Sequence, residues 1–180
     1  MSLVVTSLRA MAHPLRLQML SLLTGAELSA AEVARELDIT QANASYHLRV
    51  LESAGLLAHA GEEKVRGGVA KKYRHPWDDD TPGRGRKHSA GDDHRAVVQA
   101  VAHELVRRSG SRAEGTTSNL TDAEVWVQPS VWDEVQTLAQ QASRLLHAQA
   151  QPPRTPETVH VNMTAALFQM EQGSQHEGEQ

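Results

Sequence analysis

Through its first fifty-odd residues the chain places apolar side chains on one side of a series of short helices, and polar stop residues separate them. Leu8 and Met11 mark a short first helix that Thr6 or Ser7 can cap, and His13-Pro14 breaks it because a residue before proline avoids the α region. A second helix, about 14–24, opens on Pro14, carries Leu15, Met19, Leu22 and Leu23 on one side, and ends at Gly25. Ser29-Ala-Ala-Glu32 has the capping-box spacing, and Ala30, Val33, Ala34 and Leu37 then recur at helical intervals. After a tight turn, Asp38-Ile39-Thr40, Thr40 caps a fourth helix over about 41–54 that stops at Gly55. The period then changes from helical to alternating. Leu56–Ala60 and Val69–His75 predict two strands around a Gly67-Gly68 hairpin tip.

Residues 76–91 are rich in Pro, Gly and charge and predict a linker or loop. A helix capped by Asp92 or Asp93 follows to about 109, with Val98, Val101, Ala102 and Leu105 as its stripe. Beyond a Ser/Thr/Gly-rich loop at 110–121 the pattern predicts strand, helix and strand. Val125 and Val127 alternate within 124–128. Trp132, Val135, Leu138, Ala142 and Leu145 line a helix over about 130–149, and 158–170 ends in the apolar run Ala165–Phe168. The tail from Glu171 offers no core residue and is expected to be disordered. The expected fold is α+β, mainly α: a winged helix-turn-helix domain (1–77), a flexible linker (78–91), a dimerisation or effector region (92–170) with a C-terminal strand–helix–strand, and a tail (171–180). An isolated helix with two strands is marginal, so the Trp126/Trp132 pair and the run at 165–168 call for a partner surface. Dimerisation is the plain reading of that surface, and a pocket for a small apolar ligand the sharper one.

The fourth helix carries the candidate chemistry. Ala44, Leu48 and Leu51 fall on one side, whereas Ala42, Ser45, Tyr46, Arg49 and Ser53 fall on the other, and Gln41 and Asn43 sit at the start. That outward face is small, polar and singly positive. Arg can make two bonds to guanine, amides can bond an adenine edge, and an alanine methyl can meet that of thymine. His47 lies between the two faces; packing against a neighbouring helix is preferred for it, and a DNA contact is the alternative. On the hairpin, Lys64, Arg66, Lys71, Lys72 and Arg74 supply five cations, partly offset by Glu62 and Glu63, with Arg66 best placed for a minor groove or a flanking phosphate. A bare three-helix bundle with a charged hairpin, or a winged helix used to bind protein, has the same periodicity.

Net charge is −4 overall but uneven: +2 over residues 1–77, −1 over 78–95 and −5 over 96–180, so the basic end coincides with the candidate reading surface. The chain has no cysteine, which excludes disulfides and thiolate metal sites and suits a reducing compartment. No stretch is apolar for long enough to span a bilayer, so a cytoplasmic protein with no membrane partner is expected. Phosphate loops, nucleophile motifs and suitably set paired carboxylates are missing, and no enzymatic activity or cofactor is expected.

Met11-Ala-His-Pro-Leu-Arg-Leu, together with Ser45-Tyr-His47-Leu48, Leu51 and Ala54-Gly55-Leu56, resembles the ArsR-like family of winged helix-turn-helix regulators, and Gly68–Arg74 resembles the second wing strand of its actinobacterial members. The likeness covers about residues 6–75. It implies a homodimer that binds double-stranded DNA at a near-palindromic operator, usually to repress, and is released by an effector that is often a metal. The family's thiolate sites need cysteines that this chain lacks. Another family site, on the helix after the wing, begins as Asp92-Asp-His94 does, but Leu105 and Arg108 stand where its further ligands belong. No metal site is therefore expected, and a small-molecule effector is the more open possibility. The region at 122–170 is similar to the extension of longer members.

Overall fold

The computed structural model describes residues 3–65, 68–77 and 92–171. In chain order its elements are α1 (Leu3–Met11), α2 (Pro14–Leu22), β1 (Leu28–Ser29), α3 (Ala30–Glu36), α4 (Gln41–Ser53), β2 (Ala58–Val65), β3 (Gly68–Arg74), α5 (Asp92–Ser109) and α6 (Pro129–Ala148). The fold is α+β and mainly helical, with a small antiparallel sheet, the wing, following the helix-turn-helix. The expected linker at 78–91, most of the tail, and Arg66 lie outside the described residues.

Local chemistry sets the helix boundaries. Ser29 Oγ accepts from the Glu32 amide while the Glu32 carboxylate accepts from the Ser29 amide and hydroxyl, completing the capping box. Thr40 caps α4 by accepting from the Asn43 amide at 3.2 Å. Asp38 takes a left-handed conformation (φ 52) between α3 and α4, which a short polar side chain tolerates and which turns the chain sharply. The His13-Pro14-Leu15-Arg16 segment has a structural use. His13 Nδ1 accepts from the Leu15 amide to cap α2, while Arg16 donates back to the Ala10 and Arg9 carbonyls at the end of α1.

α1 is longer than the expected short helix, and Ser7 is not its cap. Ser7 lies fully buried inside the helix, and its hydroxyl donates to the Ala54 carbonyl at 3.0 Å, fastening α1 to the end of α4. The core joins Met19 of α2 and Leu23 just after it, Val33 of α3, Ala44, Leu48 and Leu51 of α4, then Leu56 and Tyr73. The sheet order is β1-β3-β2, and β1 pairs Leu28 with Tyr73 and Ser29 with Lys72. The hairpin strands run further than expected, with Val65 opposite Gly68, so Gly68 belongs to the ladder instead of the tip. The register slips between His59 and Gly61, where Gly61 adopts φ 135, a conformation closed to side chains with a Cβ.

α5 packs against α1 and α2 through a face turned from its expected stripe, of which Val101 is half-buried. Ala100 and Glu104 are buried, and Val98 and Leu105 are exposed. A buried carboxylate is supportable here because Gln18 donates to it at 2.7 Å and Arg107 and Arg108 close over it. α6 forms where the pattern places it. The two strands expected beside it do not: residues 124–128 and 158–170 belong to no ladder within the described chain.

Candidate nucleic-acid interface

α4 stands on the outside of the helical body because its other side is committed to the core. Ala44, Leu48 and Leu51 are completely buried, and helical geometry leaves the intervening positions facing away. Gln41, Ala42, Asn43 and Arg49 are exposed, Ser45 is half-buried, and Tyr46 is 56% exposed. Arg49 Nε donates to the Ser45 carbonyl one turn back, which lays the guanidinium along the helix surface. Tyr46, Arg49, Val50 and Ser53 line a shallow groove on this side. The helix N-terminus is free of acidic residues in its first turn, so its amide dipoles and the amides of Gln41 and Asn43 can face a phosphate or base edge without a competing anion.

His47 does not belong to this outward set. It is buried, with its ring centroid 4.7 Å from that of His13 at the α1–α2 joint. Tyr46 meets its edge at 5.1 Å. Nδ1 of His47 is buried without a hydrogen-bond partner. Desolvation by burial lowers the pKa of His47, and the neighbouring His13 and Arg16 charges lower it further; burial and then Arg16 likewise lower that of His13. The pair is held neutral beneath the outward helix.

The basic hairpin divides. Lys64 and Lys71 are exposed. Lys72 is instead paired with Glu63 at 3.1 Å, and the hydrogen bond to Glu63, followed by the charge of Glu32, raises its pKa. Arg74 is half-buried at the wing base, in a pocket it shares with Gly25, His75 and Trp77. Both positions therefore present less charge to a groove than the sequence pattern allotted them. The Lys72–Glu63 pair was findable only by a hairpin register that the expected tip, shifted by one residue, did not supply. Tyr73 and Lys71 share a face, as alternation requires, but only Tyr73 lies over the core.

A family model described as a helix-turn-helix domain matches this part of the chain. It covers residues 11–60. That span holds α2 to α4 and the first residues of β2, including the whole candidate reading helix. A domain of this kind is a DNA-binding regulatory unit, not a catalytic one. No curated protein matches the chain. Among the described residues, no helix is long and apolar enough to cross a membrane.

Proposed function

We propose that this protein is a sequence-specific transcriptional regulator, a homodimeric repressor of the ArsR-like kind that binds a near-palindromic operator and is released by an effector acting through residues 92–170. The observation that carries this reading is the outward face of α4. Six small or hydrogen-bonding residues, Gln41, Ala42, Asn43, Ser45, Tyr46 and Arg49, stand away from the core on a helix whose other side is fully buried. In a major groove, Arg49 reads guanine, the two amides read adenine or fix phosphates, and Tyr46 stacks on the backbone sugar or a thymine methyl. Lys64, Lys71 and Arg66 of the wing supply flanking phosphate contacts.

The test is a binding titration of the purified protein on DNA from upstream of its own gene, against a scrambled duplex. Arg49→Ala should weaken the preferred site about 5- to 150-fold, about 1–3 kcal/mol, and relax its base preference. Lys71→Ala should weaken both duplexes alike and flatten the salt dependence. Equal affinity for native and scrambled DNA defeats the sequence-specific reading, and no binding at low salt defeats DNA binding altogether.

A further inference from the structure

Beyond Glu104 no described residue is buried, although residues 105–171 include a long helix and many large apolar side chains. The chain exposes 13740 Å², where a compact protein of 19.7 kDa exposes about 8,600 Å². Allowing the residues outside the description the full area of an unfolded chain still leaves an excess of roughly 1,800 Å². A standard interface covers about 800 Å² per partner, and obligate ones more than that. The excess is what a subunit of a stable dimer exposes when drawn alone.

α6 shows where the partner sits. Its half-buried side chains, Trp132, Gln136, Ala139, Ser143 and His147, form one stripe, and His147 lies 5.7 Å from Trp77 of its own chain. A second stripe, Val131, Val135, Leu138, Ala142 and Leu145, is exposed, with Leu138 at 57% and Leu145 at 67%. Its spacing alternates four and three, the seam of a two-helix coiled coil. The seam is also close to symmetric about Leu138. Run against a second copy in the opposite direction with Leu138 meeting itself, Val131 meets Leu145, and Val135 falls within one residue of Ala142.

We propose that α6 is the two-fold contact between two copies of this chain, packing antiparallel along this seam. Antiparallel packing along this seam brings Glu134 of one copy beside Gln141 of the other, an acceptor facing an amide donor. It also separates the two winged bodies, each held at the C-terminal end of its own α6, by about the length of the helix. For its 20 residues that is about 30 Å, close to the roughly 34 Å between half-sites on one face of DNA. This last argument rests on the dimeric regulator proposed above; the area and the seam do not.

The absence of cysteine from the chain makes a direct test possible. Light scattering should give twice 19.7 kDa for the native protein. Val135→Asp with Leu138→Asp should give a single chain mass with unchanged circular dichroism, because both residues are exposed in the subunit. Under mild oxidation, Leu138→Cys should crosslink to itself, and Val131→Cys should not, since antiparallel copies hold those positions about 20 Å apart. A monomeric native protein overturns the proposal, as does a dimer that survives the double variant, a dimer broken only by Val98→Asp with Leu105→Asp on α5, or efficient self-crosslinking at position 131. DNA titration of the same samples reads the regulator separately: a native dimer, lost in the double variant, that binds no operator keeps the interface and removes the function.

Discussion

Replacing Glu104 probes the one buried carboxylate found among the described residues. It accepts from Gln18 at 2.7 Å and from Arg107 at 2.8 to 3.2 Å, and Arg108 lies 3.4 Å away. Removing one partner of a fully buried ion pair costs about 3–5 kcal/mol, because the other charge is stranded. Here the arginines are not stranded. The Arg107 and Arg108 side chains keep 49% and 25% exposure and can turn to water. The loss from Glu104→Ala is therefore set by the charge-assisted bond to Gln18 and by the void, about 2–3 kcal/mol. Glu104→Gln keeps an acceptor and should lose about 1–2 kcal/mol. For a chain of this size those losses lower Tm by about 4–12 and 2–8 °C respectively. Burial pushes the Glu104 carboxyl up, but hydrogen bonds from Arg107 and Gln18 and the two arginine charges outweigh it, so the folded pKa lies below its ordinary 4.5. A depressed folded pKa gives stability that is complete well above 4.5 and is lost as pH falls toward the folded value. The acid limb of the melting curve should therefore flatten in Glu104→Gln. Equal Tm at neutral pH and an unchanged acid limb in both variants would refute the assigned role of Glu104 in seating α5.

Ser7→Ala removes the hydroxyl that donates to Ala54 and leaves a buried carbonyl short of a donor; a loss of about 1–2 kcal/mol in urea denaturation is expected, and none would show that the α1–α4 fastening is idle. The His13–His47 pair makes the body acid-sensitive in a second window. Both pKa values lie below the ordinary 6.5, so the unfolded chain takes up protons first and stability falls as pH drops from about 6.5. His13→Asn with His47→Gln should reduce the fall in Tm between pH 7 and 5.5, where Glu104 stays ionised, and a slope equal to that of the native chain would count against the neutral pair.

What could be read directly from the chain was whatever local rules control. Ser29 with Glu32, Thr40, Gly55, and the spacing of Ala44, Leu48 and Leu51 act within a turn or two, and each is realised in the fold. β1 escaped notice because two residues have no period, and its partners Tyr73 and Lys72 lie far along the chain. The α5 face is turned for a different reason. Hydrophobic periodicity assigns the core to Val98, Val101, Ala102 and Leu105, and cannot see that two arginines and Gln18 make Glu104 buriable, while Val98 and Leu105 stay exposed and Val101 is half-buried. Alternation at 124–128 and 158–170 reports that a face is apolar, not that a neighbouring strand is present in the same chain. At the candidate interface, helical geometry picked out the outward residues of α4, but Lys72 and Arg74 needed the hairpin register before their charge could be discounted.

The asymmetry between a self-sufficient front half and a back half that buries no described residue beyond Glu104 gives weight to the places where the two touch outside the packing of α5. Gly25, just after α2, lies so close to the chain after α6 that a Cβ there would come within 2.6 Å of the Gln151 carbonyl oxygen, so only glycine admits the approach. Arg154 pairs with Glu36 in the last turn of α3, and Trp77 meets His147. Arg108 of α5 donates to Asn162 on one side and to Ser21 of α2 on the other. These contacts fall at the end of α2, the end of α3 and the base of the wing, and none of them uses an outward residue of α4. The end of α6 is thereby referenced to the elements that aim α4, while the seam of α6 stays clear of them. A rotation of α6 would act first on the contacts at Glu36 and Trp77, whereas Leu48 and Leu51 belong to the core cluster built from α2, α3, α4 and the start of the wing. The geometry of the back half can therefore bear on the orientation of α4 without costing the winged body its packing.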